Sequence, residues 1–369
     1  MLRSRLLPRL RPFLRRHPRV KRLLIDAETE FEAARHAAAG VLPVLIRPAP
    51  VRLNVAITAN CNLRCTGCRY GRDFMAGEQL PLQVVREMLD DAAAGGVPIV
   101  RLYGGEPLLH RDLPEMVRHS VEVGVKPYVT TNGILLKEKF PALHDAGLRT
   151  MTIGFYGTGA DYDSYVHATR GFRKLEEGIS TVRDRYGMGV EMQINFLLMK
   201  PSCSVEALRR ALDFAVKYQL FLQTDLIHYS LPYFTEGPDG ELQFGPGDEP
   251  AIRRVVEELL AFKAEHPHLY PEAEASIRSI PDWLLKGPEM RIPCDAYNLL
   301  WVGADGTVKL CYVTFTLGNL HQTRLRDMLY SGAHAEAARG AFALRCPNCH
   351  CNRDTRIQKH YPSRLKYRG

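Results

Sequence analysis

The sequence predicts an α/β protein built on parallel strands. Between Val51 and Tyr229 six short apolar runs alternate with helical patterns, and strands joined through helices run parallel by right-handed crossovers. The chain is also long enough, since 369 residues, 46% of them hydrophobic, bury one such domain with appendages. Counting elements leaves open whether the sheet is doubly wound or a partial barrel.

Residues 1 to 24 alternate leucines with arginines, and residues 1 to 22 hold nine Arg or Lys and no acid. The chain as a whole carries +8, so the remainder sums to 8 − 9 = −1 and the basicity belongs to this tail. A charge so placed gives no case for a nucleic-acid partner; docking on protein, or contact with an anionic membrane surface, suits it instead. Pro8, Pro12 and Pro18 argue against a long helix there. A helix is expected from Asp26 to Ala39, then strands from Val41 to Ile46, where Pro43 permits only an edge position, and from Val51 to Ile57.

Helices from Pro81 to Ala94, Leu113 to Val123, Leu135 to Ala146, Phe172 to Arg185 and Val205 to Tyr218 then alternate with strands. The strands run from Ile99 to Tyr103, Lys126 to Thr130, Met151 to Phe155, Val190 to Met199 and Phe221 to Tyr229. Residues 235 to 248, rich in Gly, Pro and acids, read as a loop suited to covering one end of the sheet, with helices after it from Glu249 to His266 and Glu272 to Lys286. Leu299 to Val302 and Val308 to Tyr312 flank Asp305-Gly306 as a hairpin, and a short helix covers Arg324 to Ser331.

Nine cysteines, an odd number at metal-type spacings and without a secretion signal, fit a reducing compartment, so the expected location is cytoplasmic. No run reaches the roughly 20 apolar residues that span a membrane. Cys61, Cys65 and Cys68 stand at CxxxCxxC spacing directly after an apolar strand, so three thiolates can converge on one centre and leave a fourth position open. Such a set suits zinc or an iron-sulfur cluster. The next strand closes on Tyr103-Gly104-Gly105-Glu106-Pro107, whose glycines let backbone approach a ligand.

Together these motifs resemble the radical S-adenosylmethionine (SAM) superfamily. The resemblance implies a partial (β/α)6 TIM-like barrel over residues 49–275, following a basic extension and helix over 1–48, with its site at the carboxyl ends of the strands. It implies a [4Fe-4S] cluster on Cys61, Cys65 and Cys68 whose open iron is chelated by SAM. Reductive cleavage of SAM then yields a 5'-deoxyadenosyl radical that abstracts hydrogen from a substrate C–H bond. Glu106, within Gly104-Gly105-Glu106-Pro107, would pair with the SAM amino group, and an electron donor such as flavodoxin or ferredoxin is implied. One position departs from the pattern: Gly67 stands where the family usually has an aromatic residue, which removes a packing contact near the adenine.

Cys294, Cys311, Cys346 and Cys349, with Cys351 beside them, form a second set that is similar to the twitch form of the SPASM extension. The similarity implies a small β-hairpin and helix domain over 276–369 carrying an auxiliary [4Fe-4S] cluster; taken alone, a hairpin with CxxC reads as a zinc ribbon. Whether Cys351 replaces Cys349 stays open. By the same resemblance Arg170 is the residue for the SAM carboxylate, as a guanidinium binds one bidentately. Thr130, Thr131, Asn132 or the fifth strand would serve the ribose. On that strand Gln193 and Asn195 share a face, either the interior or the solvent side.

Cys203, after the fifth strand, is a candidate hydrogen donor to a substrate radical, although a free cysteine is more often a small buried hydrophobe. His167, and His228 and Tyr229 at the end of the sixth strand, are candidates for substrate contact or acid-base work, each as readily structural. The expected activity is that of a radical SAM oxidoreductase, dehydrogenase or epimerase, on a small molecule such as a sugar or another natural-product intermediate. The first 50 residues are too short and too basic for a leader-binding winged helix, which leaves a peptide maturase as the alternative. A zinc protein that binds nucleic acid through its tail is the alternative from another class.

Overall fold

The computed structural model describes residues 17–70, 72–229, 234, 240–312 and 314–369. Residues 1 to 16 of the basic tail, and residues 235 to 239 of the loop expected over 235 to 248, lie outside the described residues. Helix α1 (Pro18–Ala39) opens the chain. It begins eight residues earlier than the sequence suggested, because Pro18 occupies its first turn, where a missing N–H costs nothing. The strand expected at Val41 to Ile46 is instead a 3-10 turn, Pro43–Leu45, closed by Ile46 N–H to Pro43 O at 3.0 Å.

β1 (Arg52–Thr58) enters the sheet, followed by α2 (Leu82–Ala94), β2 (Ile99–Gly104), α3 (Leu113–Glu122), β3 (Lys126–Thr131), α4 (Leu136–Asp145) and β4 (Thr150–Phe155). Two helices, α5 (Gly159–Val166) and α6 (Gly171–Tyr186), precede β5 (Glu191–Leu198), α7 (Val205–Tyr218) and β6 (Phe221–Leu226). The sequence reading lacked α5, whose polar stretch has little helical periodicity; burial of Tyr162, Tyr165 and Val166 holds it. After α8 (Glu249–Glu265), the helix expected from 272 to 286 is broken into α9 (Glu274–Arg278) and α10 (Ile280–Lys286), with Pro281 in the first turn of the second.

The hairpin of β7 (Leu299–Val302) and β8 (Thr307–Lys309) gains a third strand, β9 (Thr316–Asn319), and is followed by α11 (Leu325–Met328), α12 (Gly332–Phe342), α13 (Arg353–Lys359) and α14 (Tyr361–Lys366). All nine strands join one sheet in the order β6-β5-β4-β3-β2-β1-β7-β8-β9. β1 to β7 run parallel, and β7-β8 and β8-β9 pair antiparallel. The sheet is therefore an open, partial barrel. β1 sits at its centre between β2 and β7, which explains why all of its residues except Arg52 are buried. On β5, Ile194 and Phe196 join the main apolar core, while Gln193 and Asn195 point the other way, into the barrel interior.

Candidate active site

The loop carrying Cys61, Cys65 and Cys68 leaves β1 at the carboxyl edge of the sheet. Its backbone is tied down from two sides. From α5, the carbonyls of Tyr165 and Val166 accept the N–H groups of Thr66 (2.9 Å) and Arg64 (3.5 Å). From its own sequence, Arg64 donates to Cys61 O at 2.9 Å and Arg72 donates to Cys65 O. Thr66 also meets His167 Nε2 at 3.1 Å, giving His167 a place in this scaffold.

Gly104 and Gly105 are required here for a different reason from the one expected. A Cβ on Gly104, whose φ is +149°, falls 2.1 Å from Thr58 O, and one on Gly105 falls 2.3 Å from Asn60 O. The close approach is between β2 and the backbone leading into the cysteine loop, sealed by Gly105 N–H to Thr58 O and Glu106 N–H to Asn60 O, both at 2.8 Å. Pro107 follows in a buried 3-10 turn.

Glu106 is fully buried at the centre of this junction. Its Oε1 accepts from Leu108 N–H (2.9 Å) and Thr131 Oγ1 (2.7 Å), and its Oε2 from Asn132 N–H (2.7 Å). Burial raises its pKa to about 7 against the pull of those three donors. Asn132 continues the chain of contacts, its Nδ2 lying 2.8 Å from Asn62 Oδ1 and 4.0 Å from Cys61 Sγ. The structure thus brings Glu106, Thr131, Asn132 and the first cysteine into one connected unit.

The three thiols are free and half-buried. Burial pushes Cys61 up to about 11 and moves Cys65 and Cys68 in the same direction, so in the bare protein all three are neutral at pH 7. Thiolates at such a place require a cationic centre, and Leu63 N–H, 3.4 Å from Cys61 Sγ, is the kind of donor that cluster-bound sulfur accepts. The donor set fits an iron-sulfur cluster. Among the described residues no three His, Cys, Asp or Glu side chains converge tightly enough for a single metal ion.

The packing gap expected at Gly67 is filled from elsewhere. Gly67 has φ +76°, and a Cβ there lies 2.8 Å from Leu242 and 2.9 Å from Phe234. An aromatic ring is present at this spot, supplied by a distant segment, which is why the local motif did not reveal it.

The second cysteine set also converges. Cys294, Cys311, Cys346, Cys349 and Cys351 all line one cavity beneath β7 and α12. Cys349 and Cys351 share a sulfur-to-sulfur hydrogen bond which, with Arg356 nearby, draws Cys349 down to about 6 and pushes Cys351 up. Arg356 itself is 1% exposed. It donates to the carbonyls of Cys349 and Ile292, the latter at 2.5 Å, and lies 4.8 Å from the Trp283 ring centre. A buried guanidinium wrapped by the cysteine loop is a counter-ion for an anionic centre, and the set fits a second cluster.

The other candidates are dispersed. Gln193 and Asn195 belong to an interior network: Gln193 donates to Asn195 and Gln223, and Asn195 and Gln223 each donate to the Asp225 carboxylate, all at 2.8 to 2.9 Å. Across the barrel Arg101 bonds Thr130 Oγ1 (2.8 Å) and Tyr312 Oη (3.1 Å) and covers the Tyr103 ring. Sequence reasoning missed Arg101, Asp225 and Tyr312; alternation along β2 and β6 was the available signal. Arg170 starts α6 from a left-handed conformation, with its backbone N–H on Asp163 at 2.8 Å and its side chain exposed.

Cys203 has Asp248 and Arg254 as its charged neighbours, and burial pushes its thiol up to about 12. Among the described residues it shares no hydrogen bond with the other candidates. The Tyr229 hydroxyl donates to Leu284 O of α10 at 2.5 Å. His228 stacks on His350 at 4.0 Å, beside the second cysteine set, and burial lowers it to about 4.

An open parallel barrel with one cysteine set at its carboxyl edge and a second set converging beside the start of β7 has the make-up of an iron-sulfur enzyme of the partial-barrel class. Residues 55–213 match the family model of the Radical SAM superfamily, so the chain carries a Radical SAM domain there, of the kind that uses a [4Fe-4S] cluster with SAM. The chain is similar to the GTP 3',8-cyclase of Marinobacter nauticus, 26% identical over 289 residues, which cover 75% of this chain and 82% of the relative. It is also 33% identical to the GTP 3',8-cyclase of Aquifex aeolicus over 43% of this chain, spanning about half (51%) of that relative. In fold it resembles SuiB of Streptococcus suis (TM-score 0.60, 18% identity, 85% of this chain and 74% of that one). It likewise resembles anSMEcpe solved with bound AdoMet (TM-score 0.62, 17% identity, 86% and 97%). Among the described residues no helix is long and apolar enough to cross a membrane.

Proposed function

We propose that the protein cleaves SAM at a cluster held by Cys61, Cys65 and Cys68 and removes hydrogen from a small, hydroxyl-bearing molecule held in the barrel interior, oxidising or epimerising it. The observation that carries this reading is the Glu106 junction. A carboxylate offers about four acceptor sites; three are taken by Leu108, Thr131 and Asn132, and the Asn132 amide extends the junction to 4.0 Å from Cys61 Sγ, which fixes the carboxylate beside the cysteine loop. When bound, the cluster and SAM supply the 5'-deoxyadenosyl radical. The chain's own share is to position the substrate carbon and exclude water.

The interior supports the substrate class. The Gln193, Asn195, Gln223 and Asp225 network offers alternating donors and acceptors, which suits hydroxyl groups. In this reading Arg170 serves the SAM carboxylate, Cys294, Cys311, Cys346 and either Cys349 or Cys351 hold an auxiliary cluster, and a flavodoxin or ferredoxin supplies the electron. Anaerobic reconstitution with SAM and dithionite tests it: 5'-deoxyadenosine forms with the parent chain and not with Cys61→Ala. Added GTP leaves the rate unchanged. Faster cleavage with GTP, accompanied by a cyclised nucleotide, would make this a cyclase and end the proposed substrate class. An unaltered product from Cys203→Ala excludes that thiol as hydrogen donor.

A further inference from the structure

Helix α1 is apolar on two opposite faces. One is docked: Ala33, His36 and Ala39 are buried, His36 Nε2 lies 2.6 Å from Tyr297 Oη and its ring packs edge-on at 5.2 Å against Phe342. The other face carries Val20, Leu24, Ala27, Phe31, Ala34 and Ala38, at spacings of four and three residues that keep them on one side of a helix, and every one is exposed. Leu23, beside this stripe, is 68% exposed, Phe31 is 67% exposed, and Val41 just past the helix is 83% exposed. The solvent side of a surface helix ordinarily carries charge. Here the charge lies ahead of the stripe, in the nine Arg or Lys and no acid of residues 1 to 22.

The acidic residues of α1 do not interrupt the pattern. Glu30 is held by Arg364 and by Tyr361 Oη (3.1 Å), Glu32 by Arg35 (2.6 Å), and Asp26 and Glu28 fall to the sides of the stripe. Strong positive charge without any acid, leading directly into an unpartnered apolar face, combines the two attractions of an interfacial membrane helix: phosphate for the cations and acyl chain for the apolar side chains. We propose that this face of α1 seats the enzyme on an anionic lipid surface. Because α1 is anchored through His36 and Arg35 to Tyr297, the body of the protein rides with it.

Sedimentation of the full chain with vesicles tests this. Binding to phosphatidylcholine vesicles containing phosphatidylglycerol is expected, with little to pure phosphatidylcholine, and weakening as salt rises. The double variant Leu24→Glu, Phe31→Glu should lose at least tenfold in binding, while Met188→Glu, a change at another exposed apolar residue, leaves it intact. Unaltered circular dichroism confirms that the variants are folded. Absence of binding to the anionic vesicles overturns the proposal, as does binding that the double variant does not weaken. Light scattering that shows a dimer split by the same two substitutions, with no vesicle binding, assigns the stripe to a second copy of the chain instead.

Discussion

At the scale of single residues, Glu106 is a structural knot, and in the proposed reading it is also a binding group. Burial outweighs its three donors, so Glu106→Gln relieves the cost of a buried charge but replaces one acceptor with a donor. If the Gln oxygen takes the place of Oε1, the new amide confronts the Asn132 N–H donor to donor. The expected destabilisation is about 1–3 kcal/mol, the cost of a buried unpaired group, read by chemical denaturation of the unreconstituted chain. SAM binding, read by equilibrium dialysis of the reconstituted chain, should be lost, and a variant as stable as the parent would mean that the three bonds do not hold the junction. Arg356 makes the parallel case at the second cysteine set. Arg356→Met leaves the carbonyls of Cys349 and Ile292 without a donor and removes the buried counter-charge. Iron should fall from roughly eight to roughly four per chain while 5'-deoxyadenosine formation persists.

Among the elements, those with strong periodicity were legible in the sequence and those made by tertiary contact were not. β1 to β6 and their crossover helices emerged from apolar runs bounded by Gly and Pro, and the first cysteine set emerged from local spacing. α5 escaped because its sequence favours a turn as much as a helix; only the burial of Tyr162 and Tyr165 against the cysteine loop fixes it. A strand end is expected at Tyr229, whereas β6 stops at Leu226 and the ring turns to α10. The ring that fills the Gly67 gap is some 170 residues away in sequence, beyond any local pattern. The junction of β1 and β2 offers a test at this scale. Gly104→Ala drives a Cβ into Thr58 backbone, whereas Gly77→Ala, also at positive φ (+81°), meets nothing within 4 Å. The second should cost about 1 kcal/mol of stability and keep SAM cleavage; the first should remove the chain from the soluble fraction or abolish cleavage. Equal behaviour of the two would show that positive φ, and not the strand approach, sets the need for glycine.

For the molecule as a whole, the continuity of the sheet decides how its two cysteine sets are held. The spacing of the motifs suggests a barrel followed by an appended twitch unit, but β7 pairs in parallel with β1 from Arg52↔Leu299 to Val55↔Val302, so the C-terminal segment supplies the neighbour of the central strand. Cutting the chain after residue 275 would turn β1, buried along almost its whole length, into an open edge of apolar side chains and unpaired backbone groups. It would also strip α1 of the Tyr297 and Phe342 contacts on its docked face. Residues 1–275 expressed alone should therefore aggregate, and the full chain should lose its parallel barrel and its second cysteine set in one cooperative transition, followed by circular dichroism and by the visible absorbance of the reconstituted clusters. A soluble, monodisperse 1–275 fragment that still binds the first cluster would show instead that β7 is an ornament on a self-sufficient barrel. Because β1 delivers Cys61 at one end and receives β7 along its side, the expected cooperativity would link both clusters through a single strand.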